Sequence, residues 1–178
     1  VERYRAALTA NPAYLEAAVG LAETLLALED HEESLRWAVL ARTLDTEDPD
    51  LEVLEGRIRL GSGDVAAARA IFAAVLKEQP NNLEARFGLA EVDVAEGRTQ
   101  SALERYGAAL AIAPQSRRGL LSLAILAESQ GDAAAADRAI ELALRSHAGD
   151  AAVQLAASDL YGGRARWDLA ARAGRAAL

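Results

Sequence analysis

The sequence predicts an all-α solenoid of stacked helix-turn-helix repeats, and three observations predict it. Three of the four prolines, Pro12, Pro80 and Pro114, stand at one place in a recurring phrase: "RAALTANPAY" at 5–14, "AAVLKEQPNN" at 73–82 and "AALAIAPQSR" at 108–117. Their separations are 68 and 34 residues, two periods and one, and a period of this size marks a repeat architecture. Second, small residues recur in that same register at helical spacing. Third, hydrophobic residues make up 52% of the chain but aromatics only 4%, a composition that lets helices approach closely and favours them over strands.

The columns define the unit. One reads Ser34, Ala68, Ala102, Ala136, Ala170; seven residues on, another reads Ala41, Val75, Ala109, Ala143, Ala177, with Ala7 a period earlier. Between them lie Tyr4, Ala38, Phe72, Tyr106, Ile140 and Gly174. Steps of four and three place all three columns on one helix face. This helix stops at Pro12, Thr46, Pro80, Pro114 or Ala148, because proline cannot continue a helix and pushes its predecessor out of helical φ/ψ. A second amphipathic segment starts after each of these positions, with Leu21–Ala22, Leu89–Ala90 and Leu123–Ala124 on its buried stripe. It ends at Gly63, Gly97 and Gly131, where glycine accepts positive φ, and Asp64 and Asp132 follow as N-caps for the next helix. The unit is helix, tight turn, helix, proline-marked turn.

Thirty-four residues, two helices and small residues where they cross: the chain resembles the tetratricopeptide repeat family. In order, residues 1–14 match the second helix of a preceding repeat. Segment 15–48 is degenerate, with Glu29 in place of the turn glycine and Thr46 in place of the proline. Segment 49–82 is a good copy in which Glu55 replaces the usual leucine. Segment 83–116 is the best, matching at Leu89, Ala90, Gly97, Ala102, Tyr106, Ala109 and Pro114 and departing at Arg86 and Asp93. Segment 117–150 is good, and 151–178 is truncated, its Gly162 and Gly163 falling early. The expectation is a single array over 1–178. The resemblance implies a right-handed superhelix whose first helices line a concave groove for partner peptides or helices.

Composition narrows the function. Without cysteines there is neither a disulfide framework nor a thiolate metal site. No apolar run reaches the ~18 residues of a membrane span and no signal-peptide pattern opens the chain, so membrane insertion is not expected. The chain opens on Val1, read as a segment of something longer. Arginine supplies 18 of the 19 basic residues, in keeping with a GC-rich bacterial genome; the expectation is a soluble protein of bacterial cytoplasm or periplasm. Net charge is −8, with 9 basic against 16 acidic residues in 1–90 and 10 against 11 in 91–178. Such an acidic body argues against nucleic acid as the main ligand.

No catalytic constellation emerges. His31 and His147 lie more than three repeats apart, too far to share a metal or a proton, and are read as solvated. "GSGD" at 61–64 has no lysine-serine continuation and reads as a turn with a cap rather than a phosphate loop. Runs such as "EDHEE" at 29–33 and "DTEDPD" at 45–50 read as solvated faces. No enzyme activity, metal or cofactor is expected. Arg59 and Asp93, one period apart, read either as a salt bridge between repeats or as a specificity contact.

The leading expectation is therefore an interaction scaffold. The stripe opposite the buried face of the first helices reads Glu16, Val19, Glu23, Leu26, then Asp50, Val53, Arg57, Leu60, then Glu84, Phe87, Glu91, Val94. Spacings of three, four and three make each set one ridge. No Asn or Lys stands at the comparable positions Val19, Glu23, Val53, Arg57, Phe87 and Glu91, so the carboxylate clamp found within the resembled family is not expected. Acidic rims beside apolar patches suit a partner segment with Leu-like anchors flanked by Lys or Arg, tested by reversing Glu84 and Glu91 to lysine. Two accounts of Val19, Val53 and Phe87 stay open: ligand surface, or packing between neighbouring first helices. The rival function is end-to-end self-association, the acidic first half against a basic tail of Arg164, Arg166, Arg172 and Arg175.

Overall fold

In a computed structural model, residues 1–165, 169–170 and 173–174 are described, and they form two compact units, Val1–Arg98 and Thr99–Leu178. The columns' Ala177, and Arg166, Asp168, Arg172 and Arg175 of the tail, lie outside the described residues.

The first unit holds α1 (Glu2–Ala10), α2 (Leu15–Ala27), α3 (His31–Leu44), α4 (Pro49–Gly61), α5 (Val65–Glu78) and α6 (Leu83–Ala95). The second holds α7 (Thr99–Ile112), α8 (Arg117–Ser129), α9 (Ala133–Ser146) and α10 (Ala151–Gly163). First helices begin at 15, 49, 83, 117 and 151 and second helices at 31, 65, 99 and 133, every interval being 34 residues. Within each unit, consecutive helices pack against each other, and first helices also touch first helices: α2 with α4, α4 with α6, and α8 with α10.

The turns inside the repeats share one geometry. Gly63, Gly97 and Gly131 take φ of +85°, +72° and +76°. The next residue's N–H then donates back to the helix, as Asp64 does to the Arg59 carbonyl at 2.8 Å, closing a Schellman cap. In the degenerate repeat Glu29 adopts φ +60° itself, and Asp30 N–H reaches the Leu25 carbonyl at 2.9 Å. At the last turn the left-handed residue is Ala165, φ +58°, because α10 runs on through Gly162 and Gly163. Asp64 and Asp132 cap as expected, accepting from Ala67 N–H (3.2 Å) and Ala135 N–H (3.0 Å), and Asp30 does the same for Glu33. Second helices stop two residues before each turn position even where proline is missing: Asp45, before Thr46, leaves the helix at φ −136°, much as Asn11 does at −140° before Pro12.

The small-residue columns lie in the core: Ser34, Ala68, Ala102, Ala136 and Ala170 are all buried, as are Ala41, Val75, Ala109 and Ala143. Between them volume is traded across helices. Phe72 is fully buried against Gly56 of α4 and Gly88 of α6; a Cβ on either glycine would sit 2.6 and 2.5 Å from the ring. One repeat earlier the same three positions are Ala38, Ala22 and Leu54, so the bulk sits on a first helix instead. Ser34, the one polar member of its column, donates to the Ala22 carbonyl at 2.7 Å.

Charged groups in the core find partners other than those the columns suggest. Asp93, 1% exposed, accepts from Arg69 of α5 at 3.0 Å and from Arg98 at 2.8 Å. Arg59 turns instead to Glu55 on its own helix and to the cap Asp64, both at 3.5 Å, so the expected Arg59–Asp93 bridge does not form. Buried Glu55, standing at the usual leucine position, is held by Arg42 of α3 as well as by Arg59. Neither histidine is freely solvated. The His31 ring packs against Gly61 with its Nδ1 buried, and His147 Nε2 lies 2.6 Å from the Gln115 carbonyl. Each closes a space beside a helix end, which their positions along the chain do not reveal.

Candidate functional site

The first unit carries an open groove of about 680 Å³ across the first helices α2, α4 and α6. It is lined by Glu16, Val19 and Glu23 of α2, Asp50, Val53 and Arg57 of α4, and Glu84 of α6, seven of the twelve ridge residues. Helical spacing explains the set: residues three and four apart on parallel neighbours bring one face of each helix to one surface. The other five, Leu26, Leu60, Phe87, Glu91 and Val94, lie outside it.

Burial divides the ridge. Glu16, Glu23, Asp50 and Glu84 are exposed, and Arg57 and Val19 are half-buried. Val53 and Phe87 are 4% and 1% exposed. These two pack helices together; Val53 forms groove floor, and Phe87 offers no anchor surface. Val94 is 43% exposed but on the far turn of α6, beyond the groove lining.

The ridge pattern missed further lining residues, among them Tyr4, Gly20 and Asp48. Tyr4 belongs to a column read as core, yet its ring lies against Gly20 and also borders the groove; a Cβ there would be 2.5 Å from the ring. Asp48 caps α4 by accepting from Asp50 N–H at 2.9 Å, and its place in the acidic run at 45–50 is the signal that points to it.

The electrostatics are lopsided. Five carboxylates, Glu16, Glu23, Asp48, Asp50 and Glu84, face a single guanidinium, Arg57. Glu84 already interacts with other groups of the protein. Among the described residues, Glu16, Glu23, Asp50 and Arg57 make no ion pair, although they line one groove. Elsewhere in this unit Arg5 is tied to Glu33 at 2.7 Å and Arg69 to Asp93 at 3.0 Å, while Arg3, Lys77 and Glu78 are, like the groove charges, without an ion pair among the described residues.

In the second unit, the described arginine of the basic tail is not free for a partner. Arg164 binds the Glu128 carboxylate through both Nε (2.9 Å) and a terminal nitrogen, and Asp137 at 2.6 Å. The hydrogen bond from Arg164, opposed by partial burial and aided by its charge, holds the Glu128 carboxyl below the usual glutamate range. Among the described residues no group of three or more His, Asp or Glu side chains is placed to hold a metal, and no helix is long and apolar enough to cross a membrane.

Comparison with known proteins agrees with this architecture. No curated protein sequence matches the chain closely enough to count as a relative. Among solved structures, a thermophilic TPR protein of Thermus thermophilus is similar at 21% identity over 92% of this chain and 90% of that one, with a TM-score of 0.80. PilW, a type IV pilus biogenesis factor, is similar at 17% identity over 96% and 79%, TM-score 0.71. YrrB, a TPR protein with an unusual peptide-binding site, is similar at 16% identity over 98% and 90%, TM-score 0.56. At these identities the likeness is one of fold. The sequence model of the tetratricopeptide repeat matches residues 1–50 and 53–117. With most of its length so matched, the chain belongs to the tetratricopeptide repeat family.

Proposed function

We propose that this chain is a non-catalytic interaction scaffold, one array of repeats 15–48, 49–82, 83–116 and 117–150 with partial units at 1–14 and 151–178, and that its partner segment lies in the α2–α4–α6 groove. The observation that carries the reading is the set of charges there without ion-pair partners, Glu16, Glu23, Asp50 and Arg57, on an apolar floor that includes Val19 and Val53. Ionised groups held on rigid helices with no internal partner are preorganised for an external one. The excess of carboxylates selects a basic segment. Since Val53 and Phe87 are buried, apolar anchoring falls to Val19 and Leu15, and charge carries more of the recognition than the ridge pattern suggests. The peptide-binding site named for YrrB, a fold neighbour, supports the same use of the architecture. With few aromatic anchors, single-segment affinity is expected in the micromolar range.

The test is charge reversal at positions that hold nothing else together. Glu23→Lys with Asp50→Lys is expected to weaken binding of a lysine-rich peptide several-fold, measured by fluorescence anisotropy, with helical content unchanged. Wild-type affinity should fall as salt rises. Binding that survives both reversals at low salt would place the ligand elsewhere.

A further inference from the structure

Second helices carry pockets of their own. In the first unit one lies between α1 and α3, framed by Leu8, Pro12 and Leu40. In the second unit one lies between α7 and α9, framed by Leu110, Pro114 and Leu142. Each residue of the second frame stands 102 positions, three periods of 34, after its counterpart in the first. In a repeat array equal register means equal place in the unit, so the two pockets are copies of one site. They differ in what fills them.

In the α1–α3 copy the chain supplies its own filling. Trp37 lines the pocket, and its indole N–H donates to Glu33 at 3.3 Å. Glu33 in turn holds Arg5 at 2.7 Å, and Glu32 pairs with Arg36. Leu21 of α2, packed in the same cluster as Leu8, Trp37 and Leu40, is fully buried. In the α7–α9 copy this filling is cut back: Ala139 stands for Trp37, Ala135 for Glu33, Ala134 for Glu32 and Gly107 for Arg5. Two consequences follow. Leu123 of α8, the counterpart of Leu21, is only half-buried and lines the pocket. Arg138, the counterpart of Arg36, is exposed at the rim with no ion pair among the described residues. The apolar frame and one cation are kept, while the aromatic ring and the carboxylates are gone.

We infer that the α7–α9 pocket docks a segment of a partner protein that presents an aromatic side chain with a carboxylate beside it. The ring takes the place that Trp37 holds in the other copy, against Leu110, Leu123 and Leu142, and the carboxylate pairs with Arg138. A ring buries a large apolar area at little cost in side-chain freedom, so it supplies most of the affinity. The exposed ion pair adds selectivity. This is the opposite sign of ligand from the basic segment assigned to the first-helix groove, so the two surfaces accept different partners and stand or fall separately.

The experiment titrates the full chain, labelled at leucine methyls, with short peptides and follows it by NMR. A peptide with tryptophan next to aspartate is expected to shift the methyls of Leu110, Leu123 and Leu142 saturably at millimolar concentration. Exchanging its aspartate for lysine should weaken binding about fivefold, the equivalent of one exposed ion pair at the upper end of its range. Arg138→Glu, a change on the exposed rim, should reverse that preference. Gly107→Arg/Ala135→Glu/Ala139→Trp rebuilds the filling of the first copy and should abolish binding with helical content kept; a Cβ at Gly107 meets nothing within 4 Å. Undiminished binding to this filled variant, or no saturable shift of the three leucines in wild type, overturns the site. Equal affinity for the aspartate and lysine peptides overturns the acidic partner. Shifts of the same methyls that follow protein concentration alone would give the pocket to a second copy of this chain and overturn the partner segment.

Discussion

Gly88→Ala should destabilise this protein although it replaces a mid-helix glycine by the best helix former. Isolated from its surroundings, the substitution favours α6 by about 1 kcal/mol. In the fold, the new Cβ would lie 2.5 to 2.6 Å from three atoms of the Phe72 ring, where carbon pairs rest at about 3.5–4.0 Å. The ring has little room to retreat: it is fully buried, and the same edge that meets Gly88 also faces Gly56, whose Cβ position is 2.6 Å from it. Relief requires α4 and α6 to move apart, an overpacking cost near the upper end of the ~1–3 kcal/mol range. The net is a loss of about 2 kcal/mol, or a fall in Tm of about 4–8 °C for a chain of this size. Thermal and urea melts followed by circular dichroism measure it, and Phe72→Leu in the same background should recover part of the loss. Gly20→Ala is the control. It produces the same overlap, with Tyr4 at 2.5 Å, but Tyr4 is exposed and can swing aside. It should be neutral or slightly stabilising. A higher Tm for Gly88→Ala would refute the reasoning, because the ring would then have room that the packing denies it.

Two further outcomes are expected. In double-mutant cycles, Arg69→Ala and Asp93→Ala should couple by about 1 kcal/mol or more, since they share a bond of 3.0 Å to a buried carboxylate, whereas Arg59→Ala and Asp93→Ala should be additive; the reverse pattern would restore the bridge suggested by the sequence. Glu29→Gly should raise stability by about 0.5–1 kcal/mol, because a glutamate at φ +60° carries left-handed strain that glycine lacks; an unchanged urea midpoint would show that the turn is not strained.

What could be read in the sequence follows the reach of local rules. Caps, turns and helix starts depend on residues within a turn or two of one another, so Gly63, Asp64 and Pro80 announce themselves wherever they recur. The volume trade between Phe72 and its two glycines is present in the columns too, but only a structure reveals that Gly56, Phe72 and Gly88 meet. Charge pairing was not legible. Comparing positions a period apart aligns Arg59 with Asp93, while the partners of Asp93 include Arg69, which reaches over from the preceding second helix, and Arg98 of the turn after α6. The groove was partly legible, because helical spacing identifies one face. An apolar residue on that face, however, serves equally as floor or as surface, and Val53 and Phe87 turned out to pack. Tyr4 escaped for the opposite reason: a position that buries Phe72 two repeats later leaves this ring half open.

The Phe72 sandwich also bears on how the first unit comes apart. A ring wedged between α4 and α6 contributes to both helices at once, so neither can open without exposing it. Amide protons of α4, α5 and α6 should therefore exchange with solvent as one cooperative block. At the equivalent seam between α2 and α4, Ala38 spans no such gap and the contact rests on Leu54 and its aliphatic neighbours. Repeat 15–48, further weakened by its turn at Glu29, is then expected to open first, and α2 supplies one wall of the groove. A segment bound across α2 and α4 would close that weak seam from outside, and the protection it confers would appear first in the amides of α2 and α3.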